Sequence, residues 1–211
     1  VKTIKFVAVV STLAIMACGG GMDSSSEVAS KLAAYQALGQ QVETTVTAYG
    51  AETATLADVA ACETAHARYE AAMAGMVEPM RQMSAELDQH MDGMGHGGFD
   101  MGCVADALAA EFEHHHAEAC TGADVAADEQ AAASHVATMD RFVEHQRMRY
   151  EDAGTSMGMM GPHDGTTFTC EENADGSFTL GGETWTPGTP VPGSGTCTGD
   201  ACGHEPCRAR G

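Results

Sequence analysis

Positive charge is what this chain has least of. In 211 residues, 10 basic side chains face 30 acidic ones, a formal net charge of −20. After residue 17 only Lys31 and seven scattered arginines remain. Phosphate backbones are held by clustered Lys and Arg, so nucleic acid is excluded as a partner, and a field of this sign favours cations. Bulky aliphatic side chains are scarce too: Leu, Ile, Val and Phe supply 29 of the 211 residues and aromatics 5%. With this charge, that scarcity falls within the composition range of disordered chains. The apolar fraction still reaches 44%, carried by alanine and 14 methionines. Alanine is the best helix former, so close-packed alanine-rich helices are the expected use of this composition. The chain also lacks a phosphate loop, a dinucleotide glycine pattern, a nucleophile elbow and a His-Glu-x-x-His zinc motif. Nothing therefore supports catalysis, and the chain reads as a non-enzyme.

What is present begins with targeting. Lys2 and Lys5 precede an apolar run from Phe6 to Ala17 that is too short to span a bilayer, the layout of a secretory signal peptide. Its end, Leu13-Ala14-Ile15-Met16-Ala17-Cys18 followed by Gly19-Gly20-Gly21, resembles a bacterial lipobox, with Met16 a slight departure. The resemblance implies cleavage before Cys18, acylation of that cysteine (palmitate among its chains) and, with Gly19 next, a Gram-negative outer membrane. Several acyl chains anchor stably where one does not. The expected divisions are 1–17 signal peptide, 18–26 lipidated tether, 27–154 helical bundle and 155–211 tail. Outside the cytoplasm the remaining cysteines are free to form disulfides.

Hydrophobic periodicity predicts an all-α, up-down-up-down four-helix bundle. The first stripe is Val28, Leu32, Tyr35, Val42, Val46 and Tyr49, with Gly50 as a stop. The second, from a capping pair Thr55 and Asp58, runs Val59, Cys62, His66, Tyr69, Met73, Met76, Met80, Met83, Leu87, His90 and Met94, with a kink expected at Gly75 to Pro79. The third is Met101, Val104, Leu108, Phe112, His115 and Ala119, and the fourth Val125, Ala132, Val136, Met139, Val143 and Tyr150. The tail is rich in Gly, Pro and Cys, and Phe168 to Cys170 with Ser177 to Leu180 flank Asn173-Ala174-Asp175-Gly176 as a small hairpin.

Two groups of residues carry metal-binding chemistry. His90, Met91, Met94, His96 and Met101 crowd thioethers and imidazoles around a glycine-rich loop, a donor mixture suited to copper. This segment resembles the Met/His-rich stretches of periplasmic copper-resistance proteins, which implies copper binding or delivery. Alternating helices would bring His145, Met148, Met159, Met160 and His163 to the same pole as second contributors. The helix methionines Met73, Met76, Met80 and Met83 read as core packing.

At the opposite pole, Glu63 with His66 and Glu113 with His116 form two Glu-x-x-His units, the ligand pattern of ferritin-like di-metal bundles but on helices 2 and 3 rather than 2 and 4. His115 is expected half-buried and its neighbours solvated. Cys62 and Cys120 are the expected disulfide within the bundle, and Cys103 is placed to reach the tail at Cys170. The function these features imply is an outer-membrane lipoprotein that buffers or delivers a soft metal, copper foremost, through a lipid anchor in the membrane. The alternatives are a structural or protein-interaction lipoprotein with an envelope protein partner, and a di-metal oxidase.

Overall fold

The computed structural model describes residues 24–93, 100–122, 124–156 and 169–191. Four helices, α1 (Ser24–Thr53), α2 (Val59–Gly93), α3 (Met101–Glu118) and α4 (Val125–Ser156), are followed by three short strands, β1 (Cys170–Glu172), β2 (Phe178–Leu180) and β3 (Glu183–Trp185). α1 packs on α2 and α4, and α3 fills the place opposite α1 against the same two helices. Contacts at the helix ends fix their directions. Lys31 near the start of α1 bonds Glu86 near the end of α2, and Cys62 at the start of α2 bonds Cys120 just after α3. Glu111 late in α3 meets His135 early in α4. The helices therefore alternate up and down.

Local signals explain where the helices begin. The Asp58 carboxylate accepts the Ala61 N–H at 2.8 Å, a side-chain cap that starts α2 at Val59, later than the expected Thr55. Asp124 caps α4 in the same way, accepting the Ala127 N–H at 3.0 Å. α3 is capped from a neighbour: the Asp88 carboxylate on α2 accepts the N–H groups of Met101 and Gly102 at 3.0 and 2.7 Å, which satisfies two orphan donors of the first turn. Gly50 does not stop α1, which continues to Thr53. Its missing side chain lets α4 approach instead, since a Cβ there would lie 3.2 Å from Val136. Pro79 lies within α2, which runs on to Gly93.

All six apolar residues of the α1 stripe are buried, as are Met73, Met76 and Met80 on α2, which pack the core. α4 departs from its expected face. Its buried line is Asp128, Ala132, His135, Met139, Phe142, Gln146 and Arg149, whereas Val136, Val143 and Tyr150 are only partly buried. Polar side chains occupy four of those seven inward positions, so hydrophobicity alone rotates the apparent stripe by about one residue. Val59, the first residue of the expected α2 stripe, is 41% exposed.

The tail sheet is an antiparallel meander in which Cys170 pairs with Leu180 and Phe178 with Trp185. β3 extends the expected hairpin by one strand, turned through Gly181 and Gly182, both at positive φ. The sheet is tied to α3 by a Cys103–Cys170 disulfide, and Trp185 packs edge-on against Phe142 of α4 at 4.9 Å. Beyond β3 the Gly188 N–H donates to the Glu111 carboxylate at 2.8 Å. Gly188 has φ +82°, and a Cβ there would meet the His114 ring. Gly188→Ala should therefore cost about 1–3 kcal/mol, read as a lower urea midpoint at unchanged m-value. An unchanged midpoint would mean that this turn is not docked on α3.

Candidate metal centre

The Cys62–Cys120 bond sets the register of the antiparallel α2/α3 pair. One turn inward from each cysteine lies a histidine, His66 on α2 and His116 on α3, and the register brings them face to face. Their rings stack at 5.5 Å with 20° between planes, and His66 Nε2 lies 3.3 Å from His116 Nδ1. One further turn along α2, Glu70 places Oε1 3.6 Å from the same His116 Nδ1. One ligand atom from each of the three residues falls within 4.8 Å of the others.

A tetrahedral ion bound at ~2.0–2.1 Å has ligand–ligand edges of ~3.3–3.4 Å. The two separations given above lie close to those edges, so an ion can be accepted with small side-chain movement. His66 and Glu70 are half-buried and His116 is exposed, which leaves the remaining coordination position toward solvent. Burial, reinforced by the neighbouring His116, holds the His66 pKa below its ordinary value, and the neutral imidazole is the form that ligates. The expected carboxylates are not the ones assembled. Glu63 and Glu113 are exposed, and Glu70, four residues after His66 rather than three before it, takes the position.

Behind this surface cluster lies a buried polar network. Tyr49 of α1 and Tyr69 of α2 stack at 4.3 Å. The Tyr49 hydroxyl is 2.8 Å from His115 Nε2 and the Tyr69 hydroxyl 2.8 Å from His135 Nε2. His135 Nδ1 is 2.9 Å from Glu111 Oε1. Burial depresses the His135 pKa to about 3 and that of His115 to about 2, with neighbouring histidines adding to each, and raises Glu111 to about 7. Both histidines are thus neutral; with the Nδ1–H of His135 donating to Glu111, its Nε2 accepts from the Tyr69 hydroxyl, while the Tyr49 hydroxyl and His115 Nε2 share a hydrogen bond. The other Glu111 oxygen receives the Gly188 N–H. His115 is more buried than expected, and its ring lies edge-on to His66 at 5.4 Å. The network escapes a hydrophobic pattern because its members are polar. Glu111 does continue the Val104, Leu108 spacing toward His115, and that is the signal it left in the sequence.

At the opposite pole the ends of α2, α3 and α4 do approach: Asp88 caps α3, and Arg149 lies 4.0 Å from Asp100. Met91 and Met101 are enclosed in the hydrophobic core, and His145 is buried while Met148 is half-buried. His90 Nε2 sits 3.5 Å from the Lys31 ammonium. Cys18, Met94, His96, Met159, Met160 and His163 lie outside the described residues. Among the described residues, the three-ligand cluster is at the Cys62–Cys120 end. No protein-family model, curated protein or solved structure matches this chain.

Proposed function

We propose that this protein is a lipid-anchored envelope protein that binds a transition-metal ion, with copper the first candidate, through His66, Glu70 and His116. The observation that carries the reading is the spacing of three ligand atoms, 3.3 and 3.6 Å along two edges, on helices clamped one turn away by a disulfide. Two imidazoles and a carboxylate suit copper(II), zinc or iron(II), and copper binds such donors most tightly of these. The acidic surface concentrates cations near the site. A Met/His contribution from Met94, His96, Met159, Met160 and His163 remains part of the proposal, as a softer site for copper(I). Met91 and Met101, sealed in the core, support packing roles instead.

The competing reading is a structural or interaction lipoprotein, and the core placement of the methionines favours it. Against it, Val59 is the only large hydrophobic exposed among the described residues, which leaves little apolar surface for docking.

Copper(II) and zinc titrations against a competing chelator, with free thiols alkylated, decide between these readings. His66→Ala and His116→Ala should each weaken binding by more than the ~10–100-fold lost with an outer partner alone, and Glu63→Ala and Glu113→Ala should leave it unchanged. Equal affinity in all four variants would overturn the site.

A further inference from the structure

The Tyr–His–Glu chain behind the candidate centre is built of groups that the binding of an ion does not use. Tyr49, Tyr69, Glu111 and His135 are each 2–3% exposed, so a reactive species formed among them is sheltered from solvent. An oxidised phenol is a strong acid, and its oxidation becomes accessible when the proton can cross an existing hydrogen bond to a neutral base. Tyr69 has that base in His135 Nε2 at 2.8 Å. The imidazolium formed would be stabilised through its other nitrogen by Glu111 at 2.9 Å, the orienting arrangement in which a carboxylate supports a histidine that accepts a proton.

The same phenol is wired toward the surface. Its ring stacks on Tyr49 at 4.3 Å with 18° between planes, and the Tyr49 ring lies 6.4 Å from that of His66. The three ligand residues leave a coordination position open to solvent, as in metal centres that admit a substrate.

We propose that Tyr49 and Tyr69 form a one-electron relay for a redox-active ion held by His66, Glu70 and His116, with a hydroperoxide as the oxidising substrate. The inference rests on the metal reading above. In the balanced step the O–O bond of hydrogen peroxide breaks and takes one electron from the reduced ion and one from Tyr69 by way of Tyr49. Two protons from solvent complete two waters. The phenolic proton of Tyr69 passes to His135 Nε2, leaving a neutral tyrosyl radical and an ion oxidised by one electron.

The test loads the full chain carrying Met94→Leu, Met159→Leu and Met160→Leu, so that the softer Met/His site does not compete, its free thiols alkylated, with equimolar copper(I) under anaerobic conditions. Uptake is read first, equimolar hydrogen peroxide is then added, and the sample is freeze-quenched for electron paramagnetic resonance. The expected spectrum has a narrow tyrosyl line beside the broad copper(II) signal. Tyr69→Phe should lose the narrow line with copper uptake unchanged, and Tyr49→Phe should slow its appearance. Should Tyr69→Phe fail to fold, His135→Gln, which keeps the phenol and removes the base, takes its place with the same expected loss.

Copper(II) formed with no tyrosyl line would overturn the relay and leave the metal reading intact. Persistence of the line in Tyr69→Phe would do the same. Absence of copper uptake at the outset would overturn the metal reading, and the relay with it.

Discussion

Brought down from pH 7.5 in the presence of a chelator, the protein should lose stability steeply below pH 6 and unfold at about pH 4. His115, His135 and His145 are buried and neutral, with pKa values pushed to about 2, 3 and 3, in each case mainly by burial. In the unfolded chain each titrates near its ordinary value of 6.5. Below that pH the unfolded state binds more protons, so stability present above pH 6.5 is lost as pH falls toward the folded values. Each histidine costs about 1.4 kcal/mol per pH unit in this window, or about 4 kcal/mol per unit for the three.

Glu111 acts with the opposite sign. Its pKa is raised by burial to about 7, so its contribution grows as pH falls from 7 to 4.5 and offsets about a third of the histidine loss. Below pH 4.5 that offset has saturated and the histidines act unopposed. By pH 4 the net loss is about 7 kcal/mol, comparable with the whole stability of an ordinary domain. Melting temperatures at pH 7.5, 6, 5 and 4, followed by circular dichroism, check this. His145→Gln should remove about a third of the histidine slope. A melting temperature flat between pH 7 and 5 would mean that these side chains are already charged or hydrated in the native fold.

The same polar interior explains which parts of the structure are legible in the sequence. α1 can be read directly because every residue of its inward stripe is apolar or tyrosine. On α2 the expected stripe holds at Cys62, Tyr69, Met73, Met76, Met80 and Leu87, while Val59 is exposed and His66, Met83 and His90 are only partly buried. The Cys62–Cys120 bond follows from the antiparallel pairing of α2 and α3, whereas the Cys103–Cys170 bond joins a helix to the tail sheet, which helix topology alone does not fix.

α4 is misread in rotation because His135, Gln146 and Arg149 occupy inward positions that hydropathy assigns to solvent. Their burial depends on partners from other helices, such as Glu111 for His135, and pairing across helices leaves no local periodicity. The candidate site is half legible for a related reason. His66 and His116 stand one turn inside the bonded cysteines and can be found from that bond, whereas Glu70 is one of many glutamates until the register is known. β3 had a signal, the Gly181-Gly182 pair before Glu183-Thr184-Trp185, which is a two-residue hairpin turn followed by a short strand.

Removing the Cys62–Cys120 bond by double substitution to alanine should lower stability by about 4 kcal/mol, the loop-closure entropy for a span of this length; the two cysteines are 58 residues apart. For a chain of this size that corresponds to a fall in melting temperature of about 10 °C. The Cys103–Cys170 bond spans 67 residues, so the same argument gives it nearly the same thermal effect, also about 4 kcal/mol. The two losses differ in what they do to the site. The first bond fixes the register that sets His66 against His116 one turn away, and the second ties the tail sheet to the other end of α3. Cys62→Ala with Cys120→Ala should therefore weaken metal binding as well as folding. Cys103→Ala with Cys170→Ala should destabilise equally and leave the affinity unchanged. Paired measurements of melting temperature and metal affinity on the two double variants separate register from stability. Equal losses of affinity would mean that the ligands are held by general rigidity of the bundle rather than by the neighbouring bond.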